Sequence, residues 1–270
     1  MNLSDYLANV QHAETFSWFL KNKFGYGSWD APYWFIGMEE GGGCSCGDVI
    51  NRISSWGPSN DGLEDLREYC ARIGEDKWFI GENRQPTWQW LIRLLTAAAP
   101  EFRAENAELA FQQHRWGRRG GTSCVVEFSP LPSLGTSVWR YGEWCPQGVF
   151  ANQLTRRQAL WNANGLGATR VASLRERIAQ GVRAQTLKWI VFYGKKPEFQ
   201  VYFEQIAGQQ QGGAEIVNPR MTGRMVEVEG AQIRTLFTTH PTARGQRRRR
   251  FRWDMADVTQ AAAWLNPNGG

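Results

Sequence analysis

The stretch Tyr33-Trp34-Phe35-Ile36-Gly37-Met38-Glu39-Glu40-Gly41-Gly42-Gly43 decides how the rest of the chain is read. Its first four residues are aromatic or β-branched, the composition of a strand buried on both faces. The sequence predicts that this strand stops at Gly37, presents the carboxylates of Glu39 and Glu40, and passes into three glycines. Open α/β sheets hold their ligands outside the carboxyl ends of such strands. Glycines at that point let the backbone approach a ligand closely and adopt positive φ without steric cost. The competing reading is a strand-to-helix turn whose carboxylates only cap the next helix. What stands at the end of the last strand bears on that choice.

Outward from this strand the apolar periodicity alternates between helix and strand. Leu3, Leu7, Val10, Phe16, Phe19 and Leu20 fit an amphipathic helix over 3–23. Residues 44–80 are polar and predict a long excursion with one short helix near 61–72, of the kind that forms lids or binding loops. Pro86 opens a helix with Trp90, Leu91, Leu94 and Leu95 on one face, and a second helix fits 104–113. Thr122–Phe128 reads as another buried strand, closed by Ser129-Pro130-Leu131-Pro132. Residues 135–168 give no assignment. A helix over 169–185, a strand Leu187–Tyr193 ending at Gly194, and a helix from Pro197 follow. Strands at 224–229 and 232–239 flank Glu229-Gly230, a hairpin turn, and Asp254 caps a closing helix through Leu265. This alternation predicts a single three-layer α/β/α domain over 1–270, with a central, mostly parallel sheet of four to five strands.

Composition narrows the setting. Fourteen Trp, fourteen Phe and seven Tyr supply a large core, with some rings free to stack on bases or sugars. The net charge of +5 allows a polyanionic partner, and its distribution says more. Arg244, Arg247, Arg248, Arg249, Arg250 and Arg252 put six positive charges into nine residues. Five cysteines without a regular framework suggest reduced thiols and a cytoplasmic setting. Cys44-x-Cys46 matches no standard metal spacing, so no metal is expected. No signal peptide is predicted, and no stretch approaches the roughly 20 apolar residues that span a membrane.

Gly37-Met38-Glu39-Glu40-Gly41 after the first strand, with His240-Pro241-Thr242 after the last, resembles the paired motifs of the uracil-DNA glycosylase superfamily. The first motif there is commonly Gly-Met-Asn-Pro-Gly, Gly-Gln-Asp-Pro-Tyr or Gly-Glu-x-Pro-Gly, and the second is His-Pro-Ser leading into a loop that wedges into DNA. The helix over 81–95, the strand 125–132 with its Pro-rich exit, and Gly194 agree with that layout. The resemblance implies a cofactor-free, monomeric DNA glycosylase that flips a nucleotide into a pocket before cleaving its glycosidic bond. Glu39 matches the catalytic carboxylate or amide position, and His240 matches the donor to the base's carbonyl oxygen. Gly37, Met38, Glu40 and Gly41 would border the base. Thr242, Arg244 and Arg247–Arg250 fall where the family binds DNA, with Arg244 at the wedge position. A solvated basic face is the plainer reading of those arginines, and helix caps or a loop histidine are the plainer readings of Glu39, Glu40 and His240.

The departures bear on substrate. Glu40 replaces the motif's proline. Gly41 stands where the uracil-specific branch has a tyrosine that crowds the pyrimidine C5 position. Near the family's base-reading asparagine this chain offers Cys124 and Glu127. An ionised glutamate only accepts, which suits the exocyclic amine of cytosine better than O4 of uracil, unless Glu127 points outward or into a salt bridge. Phe79, Trp88 or Phe128 would stack on the flipped base, and Trp56 or Trp78 would pack against a sugar. These features suggest a cytosine with a large C5 group, such as glucosylated hydroxymethylcytosine in phage DNA, and hence anti-phage defence. The alternatives are a uracil-repair glycosylase and a non-catalytic DNA-binding protein of the same fold.

Overall fold

A computed structural model describes residues 2–57, 61–102, 108–134, 139–144, 166–194, 197–210, 215–242 and 252–267. Among these, the strands are β1 (Gly25–Gly27), β2 (Tyr33–Gly41), β3 (Leu63–Glu64), β4 (Ser123–Ser133), β5 (Trp189–Tyr193), β6 (Gln209–Gln210), β7 (Glu215–Asn218), β8 (Met221–Val228) and β9 (Ala231–Thr238). The helices are α1 (Leu3–Leu7), α2 (Val10–Asn22), α3 (Cys46–Ser55), α4 (Leu66–Ile73), α5 (Pro86–Ala98), α6 (Glu108–His114), α7 (Tyr141–Trp144), α8 (Leu166–Arg183), α9 (Pro197–Ala207) and α10 (Met255–Leu265).

The strands form one mixed sheet in the order β3-β1-β4-β2-β5-β9-β8-β6, with β7 also on β8. Its centre, β4-β2-β5-β9, is parallel throughout. Helices α5 and α10 pack together on one face, and α8 and α9 on the other. Phe35 meets Trp116 on the first face. On the second, Phe203 of α9 meets Phe128 and Phe192. Trp34, Phe35 and Ile36 are completely buried, each such side chain stabilising the fold by roughly 1.5–3 kcal/mol. No helix among the described residues is long and apolar enough to cross a membrane.

The sheet is larger than the expected four to five strands, and the extra strands have physical reasons. β1 is too glycine-rich to read as a strand. A Cβ on Gly25 would lie 2.1 Å from the Val125 carbonyl oxygen, so glycine is what lets β1 lie against β4. The hairpin is as expected, with Glu229 and Gly230 at φ 54° and 80°, the positive pair of a two-residue turn. It extends the sheet through β6 and β7 on its far side.

The expected single helix in 44–80 is two, α3 and α4, with β3 between them. Ser45 caps α3 by accepting the Asp48 N–H, a start signal hidden among glycines and cysteines. The predicted helix 3–23 is broken, because the Asn9 side chain caps α2 at His12. β2 does not stop at Gly37. It runs on through Glu39 to Gly41 because β4 continues beside it past Phe128. The Pro-rich exit is therefore itself strand. β1 covers only Cys124–Val126, so Pro130 and Pro132 sit where β4 has lost its second neighbour, a position that tolerates proline.

Candidate active site

The carboxyl ends of the four parallel strands gather both sequence motifs on one edge. Glu39 pairs with Ser129 of β4, and Gly41 with Ser133. His240 follows β9 directly, and β5 lies between β2 and β9. Two inter-strand spacings separate the two ends, about 10 Å of backbone. The residue filling the middle is one the sequence reading missed. A Cβ on Gly37 would sit 2.5 Å from the Tyr193 ring, so Gly37 is required to let that tyrosine lie across β2. Tyr193 also lies 6.2 Å, ring to ring, from His240. Gly194 at φ 87° then turns the chain away. The strand-final aromatic before a glycine was the available signal for Tyr193.

His240 is held by neutral hydrogen bonds. The Thr242 backbone N–H donates to its Nδ1 at 3.3 Å, and the Thr242 hydroxyl lies at the same distance. A backbone amide only donates, so Nδ1 is the acceptor and the neutral ring carries its proton on Nε2. Thr242 in turn meets Thr87 in the first turn of α5 at 3.2 Å. Trp253 brackets the turn, its indole N–H donating to the Thr239 carbonyl and its backbone N–H to that of Pro241.

The other side is held by charge. Glu40 turns its carboxylate between Lys23, which ends α2, and Arg52 of α3. Arg52 Nε also donates to Asp48 at 2.8 Å. The second Asp48 oxygen accepts the Gly43 and Cys44 amides at 2.7 and 3.2 Å. Burial opposes ionisation of Glu40, but Lys23 and Arg52 outweigh it and hold the carboxyl below its ordinary range. Asp48 is likewise lowered against its own burial, by Arg52 and by those amides. Of the three glycines expected to leave room, only Gly41 faces open space. A Cβ on Gly42 would strike the Arg52 guanidinium at 2.6 Å, and one on Gly43 the Pro132 carbonyl at 2.8 Å.

The remaining expected residues are scattered. Met38 and Glu127 are buried. Glu127 pairs with Gly37 across the ladder, and its carbonyl accepts from Arg170. Phe128, one of the three rings expected to stack on the flipped base, is instead core: it has no exposed surface and packs on Tyr202 and Phe203 of α9. Cys124 is fully buried, and burial pushes its thiol up. Phe79 is buried against the half-buried Trp88. Trp56 is core, under Lys23 and beside Phe19, Tyr26 and Tyr69. Trp78 is half-buried with Lys77 over its ring. Arg244 and Arg247–Arg250 lie outside the described residues, and Arg252 is exposed. Among the described residues no group of three His, Cys, Asp or Glu is arranged to hold a metal. An aromatic cluster, Trp139, Tyr141 and Trp144, adjoins the glycine loop: Tyr141 donates to the Pro132 carbonyl and Arg140 to that of Cys44. Two shallow grooves, of about 640 and 420 Å³, lie on the α8–β8 side and at the amino ends of the strands, away from this edge.

No protein-family model matches the chain, and no curated protein or solved structure is significantly similar to it.

Proposed function

We propose that this protein is a DNA glycosylase that flips out a pyrimidine nucleotide and hydrolyses its N-glycosidic bond, with a C5-modified cytosine as its base. The observation that carries the reading is His240 at the carboxyl edge, with Nδ1 accepting from the Thr242 amide, across β5 from the end of β2 that bears Glu39. Hydrolysis adds the oxygen of a water to C1′ as the C1′–N1 bond breaks. Positive charge builds on the sugar and negative charge on the leaving base. The Nε2–H of His240 stabilises the departing base through its carbonyl oxygen, and the Glu39 carboxylate stabilises the sugar cation and orients the water, whose proton passes to solvent or the base. Because Nδ1 is already an acceptor, His240 does this as a neutral donor. Open space at Gly41 supports a base with a substituent at C5, and the arginine-rich segment after His240 supports a polyanionic substrate.

The experiment is a comparison of duplex and single-stranded oligonucleotides containing uracil, cytosine, hydroxymethylcytosine or glucosylated hydroxymethylcytosine. Released bases are identified by mass spectrometry, and abasic sites by alkaline strand scission. Release of the modified cytosines in preference to uracil is expected. Fastest release of uracil would move the assignment to a repair glycosylase, and binding without release from any of the four would remove the enzyme reading.

A further inference from the structure

Between the glycine loop and the helices beneath it lies a group of charges that the proposed chemistry does not use. Glu40 follows the candidate catalytic Glu39 in the chain, yet its carboxylate is turned into the protein. Lys23 contributes a side chain with no exposed surface, Arg52 one that is 5 % exposed and Glu40 one that is 13 % exposed. The Lys23 ammonium lies 5.4 Å from the ring centres of Phe19 and Trp56 and 5.8 Å from Tyr69. Charges so far from water persist only when paired and hydrogen-bonded. Each member answers another: Lys23 and Arg52 against Glu40, Arg52 against Asp48, and Asp48 against the amides of Gly43 and Cys44. Gly42 is pressed against the Arg52 guanidinium, where any side chain would collide. The backbone on the carboxyl side of Glu39 is therefore gripped at Glu40, Gly42, Gly43 and Cys44 by one connected network.

The geometry points to Glu40 as a positioning residue: its buried pairing with Lys23 and Arg52, extended through Asp48, fixes the backbone that carries Glu39. The inference rests on the glycosylase reading for the role of Glu39, while the lock on the loop stands independently of it. A flexible run of glycines by itself would leave a neighbouring catalytic group poorly held. Misplacement of such a group by about 1 Å costs on the order of 10²-fold in rate. The charge network supplies the rigidity that glycine lacks, from outside the loop.

The test uses the full-length protein carrying Glu40→Gln and, separately, Asp48→Ala, which frees the Gly43 and Cys44 amides without uncharging Glu40. Amide hydrogen exchange over residues 41–44 is measured together with single-turnover base release and DNA affinity, on the modified oligonucleotide that the wild type cleaves fastest. The expected result is exchange at Gly43 and Cys44 at least about 10-fold faster in both variants, with base release slowed by about 10² and affinity within about threefold. If exchange in this segment is unchanged in the folded variants, or is faster while base release per folded molecule equals wild type, the inference is overturned. Should the wild type release no base from any oligonucleotide, the glycosylase reading and the catalytic half of the inference fail together. The exchange comparison would still decide the lock. A loss of activity explained only by a smaller folded fraction would leave single-turnover rates per folded molecule at wild-type values, and that too overturns it.

Discussion

The two sides of the candidate site are held by opposite means. On the β2 side, four buried or half-buried charges grip a glycine loop: Lys23, Glu40, Arg52 and Asp48. On the β9 side, the hydrogen bonds described at the His240 turn come from neutral groups: the Thr242 amide and hydroxyl, Thr87 and Trp253. Under the proposed function, the difference follows from what each side would present. A loop with three consecutive glycines has little conformational preference of its own, so its order comes from strong external partners. A histidine that donates while neutral must not sit beside a carboxylate, which would favour the imidazolium. In the proposed glycosylase, charge on one side would serve the Glu39 carboxylate and the neutral partners on the other would serve His240 as a neutral donor.

The comparison breaks first where the charges are densest. Glu40→Ala removes the carboxylate partner of the Lys23 ammonium and leaves it among the rings of Phe19, Trp56 and Tyr69. A loss of roughly 3–5 kcal/mol in urea unfolding is expected, the usual cost of breaking a buried pair. Thr242→Val, on the neutral side, is expected to cost no more than about 1 kcal/mol, since the backbone donor to His240 remains. Equal losses would mean that the two sides are not held differently.

Catalysis is the next largest effect. Glu39→Gln and His240→Ala are each expected to slow base release by about 10²-fold or more, about 2.7 kcal/mol, with DNA affinity and unfolding midpoint little changed. Wild-type rates in either variant would move the chemistry to other residues.

How much of this was legible in the sequence divides along the same line. The three central strands, the Glu229-Gly230 hairpin and the Asp254 cap are local patterns, and the structure has all of them. The capping box at Asp254 and Asp257 is complete within four residues. His240 at the end of the last parallel strand was legible for the same reason. What escaped is tertiary. Nothing within Gly25-Tyr26-Gly27 announces a strand until Val125 lies against it. The fate of Glu40 depends on Lys23 and Arg52, 17 and 12 residues away on separate helices, so one sequence does not separate it from its neighbour Glu39. Phe128 failed as a base platform because a fully buried strand shows no periodicity that tells which layer each side chain faces.

Acid sharpens the comparison further. The carboxyls of Glu40 and Asp48 are both held below their ordinary range. A lowered folded-state value contributes stability that is present above the unfolded value, near 4.3 for Glu, and is lost as pH falls through the folded value. Unfolding free energy of the wild type is therefore expected to decline below about pH 4. Glu40→Gln should follow a shallower acid limb, because Lys23 and Arg52 no longer have that proton-sensitive partner. Superimposable limbs after vertical scaling would show that Glu40 is not the charge being titrated.

The smallest expected effect lies just past the neutral side. The charges beneath the β2 loop balance, two cations against two carboxylates, and so present little net field outward. The segment 244–252 has six arginines and no acidic residue in its sequence. If it contacts the DNA backbone, each arginine releases condensed counterions when it neutralises a phosphate. Arg248→Ala is then expected to lower the slope of log affinity against log salt by about 1, and to weaken binding by a similar factor on every oligonucleotide sequence. Arg52→Lys, on the balanced side, is expected to leave that slope unchanged even if it slows base release. The measurement is fluorescence anisotropy with labelled oligonucleotides between 50 and 200 mM salt, the range over which phosphate contacts register strongly. A change of slope in Arg52→Lys would place the balanced network in the DNA contact. An effect of Arg248→Ala confined to one sequence would make that arginine a reader of base edges instead.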